Sequence, residues 1–233
     1  MTFLRDLWDD FISLLFPRLC QACGCHLLRN EKIICTECYV LMPRTGYHLE
    51  INNPVARLFW GRCHIEKAAV FSYYNRGSRI SKLIHNLKYR GVREIGPEVG
   101  RIYGTSLKRD GFTEGVDIIV PVPLHPVRLR QRGFNQSDAI ASGISEATGV
   151  PVMGDLVVRI AASATQTKRS RYERWTNVEG IFSVSDPEKL KGKHVLLVDD
   201  VITTGSTIES CAGELLKIEN VRVSVAALAC AVF

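Results

Sequence analysis

Four apolar residues, Val195 to Val198, run into two adjacent carboxylates, Asp199 and Asp200, and then into Thr203-Thr204-Gly205-Ser206-Thr207. An unbroken apolar run of this length reads as a strand buried on both faces, the kind found in parallel sheets covered by helices. The carboxylates stand where the strand emerges. The turn after them aims unpaired backbone N–H groups and hydroxyls at an anion, and the dipole of the following helix adds a favourable field. Gly205 permits a close approach that a side chain would block.

The rest of the chain alternates in the same sense. Ala69 to Tyr73 predicts a strand; Ile80, Leu83, Ile84 and Leu87 mark a helix that Gly91 ends, and a second helix covers Glu94 to Leu107. Asp117 to Val122 is an apolar run broken by Pro121 and Pro123, followed by a helix from Ser137 to Thr148. Past His194 to Val198, Thr207 to Lys217 predicts a helix and Val221 to Leu228 a buried strand. The expected fold is α/β, a mostly parallel sheet covered by helices. Ala161 to Trp175, with Lys168, Arg169, Arg171 and Arg174 and little periodicity, reads as a long solvent-facing loop of the kind that carries function.

Upstream, Phe3, Leu4, Leu7, Trp8, Phe11, Leu14 and Leu15 recur at helical spacing up to Pro17, so residues 1–17 read as an amphipathic helix. Its polar face is acidic, which favours packing on the protein body over a membrane surface. Four of the eight cysteines form Cys20-x2-Cys23 and Cys35-x2-Cys38, a spacing that suits one tetrahedral structural zinc. The zinc-binding unit is placed at 18–42, a connector or hood at 43–67 and the main domain at 68–233. Eleven residues between the two cysteine pairs allow a hairpin but no separate core, so metal supplies much of the local folding energy.

The longest apolar stretches fall far short of the roughly 20 residues that span a bilayer, and the start of the chain lacks a basic region leading to a small-residue cleavage site. A cytoplasmic location is expected. Thirty Lys and Arg against 24 Asp and Glu give +6, which metallation lowers toward about +4, so net charge is weak evidence for a polyanionic partner. With 46% hydrophobic and 23% charged residues, the chain is neither disordered nor collagenous.

Physics alone leaves several proteins open. Asp-Asp at a strand end also occurs in receiver-like domains and at magnesium sites of nucleoside triphosphatases, but the Gly-x4-Gly-Lys-Ser/Thr and Gly-x-Gly-x-x-Gly loops are absent. The stretch His194 to Thr207 resembles the phosphoribosyl-diphosphate (PRPP) binding motif of type I phosphoribosyltransferases. Further features narrow the resemblance to the competence-associated ComF/GntX family. They are the Cys20 to Cys38 unit, Leu87-Lys88-Tyr89-Arg90-Gly91, Val122-Pro123-Leu124-His125 leading to Arg132-Gly133-Phe134-Asn135-Gln136-Ser137, and Asn177-Val178-Glu179-Gly180-Ile181-Phe182.

The resemblance implies roles position by position. Asp199 and Asp200 correspond to the acidic pair that holds the ribose hydroxyls, directly or around magnesium. Val201 and Thr203, Thr204, Gly205, Ser206 and Thr207 correspond to the cradle for the 5-phosphate. His125, Arg128, Arg130, Arg132 and Gly133 fall on the pyrophosphate side. Arg159 and the segment with Thr165, Gln166, Lys168, Arg169, Arg171 and Arg174 correspond to a flexible hood.

Two functions follow. One is magnesium-dependent PRPP binding with phosphoribosyl transfer to an acceptor that the sequence does not identify; no Asp or Glu stands out as its general base, and Glu173 reads as a loop ion pair. The other, implied by the family, is a non-enzymatic accessory protein that binds single-stranded DNA in uptake or transformation, with a competence helicase or uptake protein as partner. The arginines suit either phosphate backbone or pyrophosphate, and Tyr172 and Trp175 could stack bases. Paired carboxylates repel a polyanion and so favour the small ligand at their own loop. Dimerisation is common in the wider enzyme class. Cys25 is read as a spare thiol, Cys63, Cys211 and Cys230 as idle or buried, and His26, His48, His64 and His85 carry no assigned role.

Overall fold

The computed structural model describes residues 17–160 and 181–231. In chain order its elements are α1 (Thr36–Val40), a 3-10 turn at Tyr47–Leu49, α2 (Pro54–Arg57), β1 (Ala68–Tyr74), α3 (Arg79–Tyr89) and α4 (Ile95–Arg109). Then come β2 (Ile118–Pro121), α5 (Pro126–Arg132), α6 (Gln136–Thr148), β3 (Val157–Arg159), β4 (Phe182–Val184), β5 (His194–Ile202), α7 (Ser206–Leu215) and β6 (Arg222–Ala231).

β1, β6, β5 and β2 form one parallel sheet in that order, and β3 pairs with β4 as a separate antiparallel ribbon. Alternate strand residues point to opposite faces, which explains the continuous apolar runs. Ala69, Phe71, Leu196, Val198, Ala226 and Leu228 meet α3, α4 and α6 on one face. Ala68, Val70, Val195, Leu197, Val225 and Ala227 meet α2, α7 and the β3–β4 ribbon on the other.

α4 and α6 touch almost backbone to backbone. A Cβ added at Gly143 would lie 2.0 Å from the Pro97 carbonyl oxygen, and one added at Gly100 would lie 2.3 Å from that of Ile140. Glycine spacing along α4, at 96, 100 and 104, creates this groove.

The connector is held by one buried amide. Asn53 Nδ2 donates to the carbonyls of Tyr47, Glu50 and Ala68 at 3.0, 2.7 and 2.8 Å, while its Oδ1 accepts the N–H groups of Val55 and Ala56 at the start of α2. The cysteine segment likewise shares the main core: Cys20, Ala22, Ile34, Cys35, Cys38 and Met42 pack in the same cluster as the apolar faces of α3 and α4.

Three differences from the sequence expectation matter. The turn after Val122 contains α5, started by Pro126 and capped by His125, whose Nδ1 accepts the Val127 N–H at 3.2 Å. Its residues are exposed or half-buried, so hydrophobic periodicity did not announce it. Arg159, expected in a loop, stands at the end of β3, a strand of only three residues. β5 continues past Val198 to Ile202, so Asp199 and Asp200 are strand residues, with Asp199 in register with Ala227 of β6. The expected helix in residues 1–17, up to residue 16, and the expected loop from 161 to 175 lie outside the described residues.

Candidate functional site

The C-terminal ends of β2 and β5 open into a cavity of about 390 Å³, where a parallel sheet ordinarily holds its ligand. Asp199, Asp200, Val201, Thr203 and Thr207 form one side, and Arg128, Arg132 and Arg159 line it too. These residues come from well-separated parts of the chain and are brought together by the sheet.

Asp199 Oδ1 accepts the Ser137 hydroxyl at 3.1 Å and the Asp200 backbone N–H at 2.8 Å. Burial, with the Asp200 charge beside it, pushes the Asp199 carboxyl well above the ordinary carboxylate range. Asp200 accepts an ion pair from Lys88 Nζ at 2.8 Å. Lys88 comes from the last turn of α3, one step off the buried face formed by Ile80, Leu83, Ile84 and Leu87.

Gly205 has φ +77° and no side-chain cap, which leaves the first N–H groups of α7 open. Thr203 and Thr207 face the cavity, whereas Thr204, Gly205 and Ser206 form the turn itself, with the Thr204 and Ser206 hydroxyls 3.0 Å apart. The connector braces this turn from behind. Arg62 donates to the Thr204 carbonyl at 3.1 Å and pairs with Glu209, and a Cβ at Gly205 would lie 3.0 Å from the Phe59 ring.

On the cationic side, Arg132 donates to Gln136 Oε1 at 2.7 Å and lies over the Tyr89 ring at 5.3 Å. Arg159 lies over Phe182, and its buried Nε has no partner among the described residues. Burial, with Arg128 nearby, lowers its pKa from the usual arginine value. His125, Arg130 and Gly133 do not line the cavity: His125 caps α5, Arg130 is exposed on it, and Gly133 ends it with φ +74°. Thr165, Gln166, Lys168, Arg169, Arg171 and Arg174 lie outside the described residues, as do Tyr172, Glu173 and Trp175.

Sequence reasoning gave no role to Lys88, Ser137, Tyr89 or Arg62. A lysine bordering the apolar face of a helix, within Leu87-Lys88-Tyr89-Arg90-Gly91, was the available signal for the first.

At the other end of α3, the Sγ atoms of Cys20, Cys23, Cys35 and Cys38 all lie within 4.8 Å of one another. The Cys23 and Cys35 sulfurs are 3.7 Å apart, close to the roughly 3.8 Å edge of a tetrahedron with Zn–S of about 2.3 Å. Backbone N–H groups of Cys25, Cys35 and Cys38 point at Cys23, Cys20 and Cys35 Sγ. The Cys25 N–H lowers the Cys23 thiol to about 6, and burial raises that of Cys38. The donor set fits zinc, and Cys25 Sγ stays outside it.

The Phosphoribosyl transferase domain family matches residues 135–232. The chain is 32% identical to DNA utilization protein YhgH of Escherichia coli (strain K12) over 85% of this chain and 84% of that protein. It is 31% identical to Competence protein F of Haemophilus influenzae over 64% and 67% of the two chains. It is 26% identical to Competence protein ComFC of Bacillus subtilis (strain 168) over 63% and 57%. With 32% identity over most of its length to a relative of this kind and a matching phosphoribosyl transferase domain, this chain belongs to the ComF family of phosphoribosyltransferase-domain proteins.

Proposed function

We propose that the cavity binds PRPP with magnesium and that the protein transfers the phosphoribosyl group to an acceptor. The observation that carries this reading is the arrangement, in one cavity, of the Asp199–Asp200 pair and the open α7 turn with Lys88, Arg128, Arg132 and Arg159. Displacement at the anomeric carbon develops positive charge on the ribose and negative charge on the departing pyrophosphate. Carboxylates beside the first and cations beside the second stabilise that separation.

In this reading Asp199 and Asp200 hold the ribose hydroxyls, Thr203, Thr207 and the α7 N–H groups hold the 5-phosphate, and the three arginines grip pyrophosphate. Asp199 and Asp200 are hard oxygen donors of the kind magnesium takes, and Lys88 on Asp200 marks a place where positive charge is already favoured. Magnesium, when bound, neutralises charge on the substrate phosphates. Ser137 orients Asp199, and Arg62 with Phe59 fixes the turn that meets the 5-phosphate.

Calorimetric titration of zinc-loaded protein with PRPP and magnesium tests this. Saturable, magnesium-dependent binding is expected in the wild type and its loss in Asp199→Asn/Asp200→Asn. Absence of binding by folded, metallated wild type overturns the reading. The second reading, a single-stranded DNA accessory protein in uptake, is favoured by the words "DNA utilization" and "Competence" in the relatives' names. A reduced four-thiol site fits the cytoplasmic location proposed for either. No helix among the described residues is long and apolar enough to cross a membrane.

A further inference from the structure

A second cavity, of about 610 Å³, opens between the first cysteine turn and α3. Leu19 to Gly24 form one wall, and Arg76, Lys82, His85, Asn86 and Arg90 belong to the other. Tyr74 and His85 line both this cavity and the PRPP candidate site. Lys82, His85 and Tyr89 follow one another at i, i+3 and i+7 on α3, so one exposed helical face leads from the second cavity into the first.

The lining of this second cavity is cationic and free of carboxylates. Arg76, Lys82 and Arg90 are exposed, and among the described residues their side chains make no hydrogen bond or ion pair. No Asp or Glu lines the cavity. Several cations elsewhere are matched, as Arg62 is with Glu209, Arg101 with Glu98 and Arg109 with Asp110, whereas all three cations that line this cavity are unmatched among the described residues. The thiolates of Cys20 and Cys23 supply negative charge at the wall, but Arg79 beside Cys38 offsets part of it, and the three free cations still face open space. Unpaired cations around one acid-free cavity leave a positive potential there that favours an anion.

We infer that the second cavity is a binding site for the phosphates of a nucleotide, held by Arg76, Lys82 and Arg90. Tyr74, 36% exposed on the wall of this cavity, offers a ring face on which its base stacks. The chemistry is the same whether the nucleotide is free or is the end of a single strand. The inference concerns binding alone and stands whether or not the neighbouring cavity takes PRPP; the shared Tyr74 and His85 wall places the nucleotide beside that site.

The test uses zinc-loaded protein and a 5′-phosphorylated, 3′-fluorescein oligothymidylate followed by anisotropy, with thymidine monophosphate as competitor. Arg76→Glu/Lys82→Glu should weaken binding at least tenfold. It should also make the plot of log affinity against log salt shallower by about 1.4, two single-strand phosphate contacts at about 0.7 each. Asp199→Asn/Asp200→Asn should retain oligonucleotide binding even though it loses PRPP. Displacement by the monophosphate assigns the site to free nucleotides, and binding of the oligonucleotide alone assigns it to strand ends; either supports the inference. Circular dichroism and zinc content establish that the charge-reversed protein is folded, and Arg90→Glu provides an independent second variant. No binding of either probe to wild type, or unchanged affinity and salt slope in both folded variants, overturns it.

Discussion

Lys88 Nζ lies 2.8 Å from Asp200 Oδ1, with both side chains largely withdrawn from solvent, and the Asp199 carboxylate stands next to the pair. Lys88 therefore balances the Asp200 carboxylate, beside the buried Asp199 carboxyl, before any ligand arrives. Lys88→Met is expected to lower stability by about 1.5–3 kcal/mol. Magnesium should raise the variant's melting temperature more than the wild type's. Thermal melts with and without magnesium measure both effects, and a variant that melts like wild type in each condition contradicts the assignment.

The raised Asp199 pKa predicts a pH dependence of definite sign. The native state favours the neutral acid, while the unfolded carboxyl ionises near pH 3.9. From about pH 4 up to the raised native value the native state binds more protons than the unfolded one, so this group's contribution to stability falls as pH rises. Asp199→Asn should raise the melting temperature at pH 8 by about 2–4 °C, corresponding to about 1 kcal/mol, with little gain at pH 4. Equal shifts at both pH values would refute this.

Zinc removal should affect far more than the cysteine segment. Cys20, Cys35 and Cys38 share a core with Leu83, Leu87, Val99 and Tyr103, so the cluster is one wall of the main body. A strong chelator, or Cys38→Ser, is expected to lower the melting temperature of the whole cooperative transition by on the order of 10 °C. An unchanged main transition with a separate early one would show an independent zinc unit.

Asn53 satisfies five backbone groups with one side chain. Asn53→Ala should cost about 2–4 kcal/mol, because buried carbonyls lose their donor and α2 loses its cap. The same variant should weaken PRPP binding, since α2 leads into Phe59 and Arg62 behind the Gly205 turn. Urea unfolding and calorimetry check the two effects, and a loss below about 0.5 kcal/mol speaks against the anchor role.

Two glycines give opposite expectations. Gly143→Ala forces a Cβ against the backbone of α4 and should destabilise by about 2 kcal/mol or more, whereas Gly213→Ala, with nothing within 4 Å of its new Cβ, should stabilise by about 0.5–1 kcal/mol. Denaturant midpoints of the pair decide it; the same sign for both contradicts the packing of α4 on α6.

The sheet and its main helices were legible because burial on both faces writes continuous apolar runs, as at Val195 to Val198, and one-sided burial writes the period of Ile80, Leu83, Ile84 and Leu87. The Asp199–Thr207 stretch was legible because its residues are contiguous. Lys88, Ser137 and Arg62 were not, since each meets the site through a contact spanning 62 residues or more, which no local pattern encodes. α5 and β3 escaped because half-exposed short elements carry little periodicity.

The strand order has a consequence for synthesis. β6, the last strand along the chain, lies between β1 and β5, so neither of those two can complete its hydrogen-bond ladder until residues 222–231 have emerged. β1 leaves the ribosome on the order of ten seconds earlier and spends that interval as an unpaired apolar edge. A ribosome that stalls before Arg222 therefore strands a polypeptide in which β1 has no strand partner and β5, which carries Asp199 and Asp200, is paired on one edge alone.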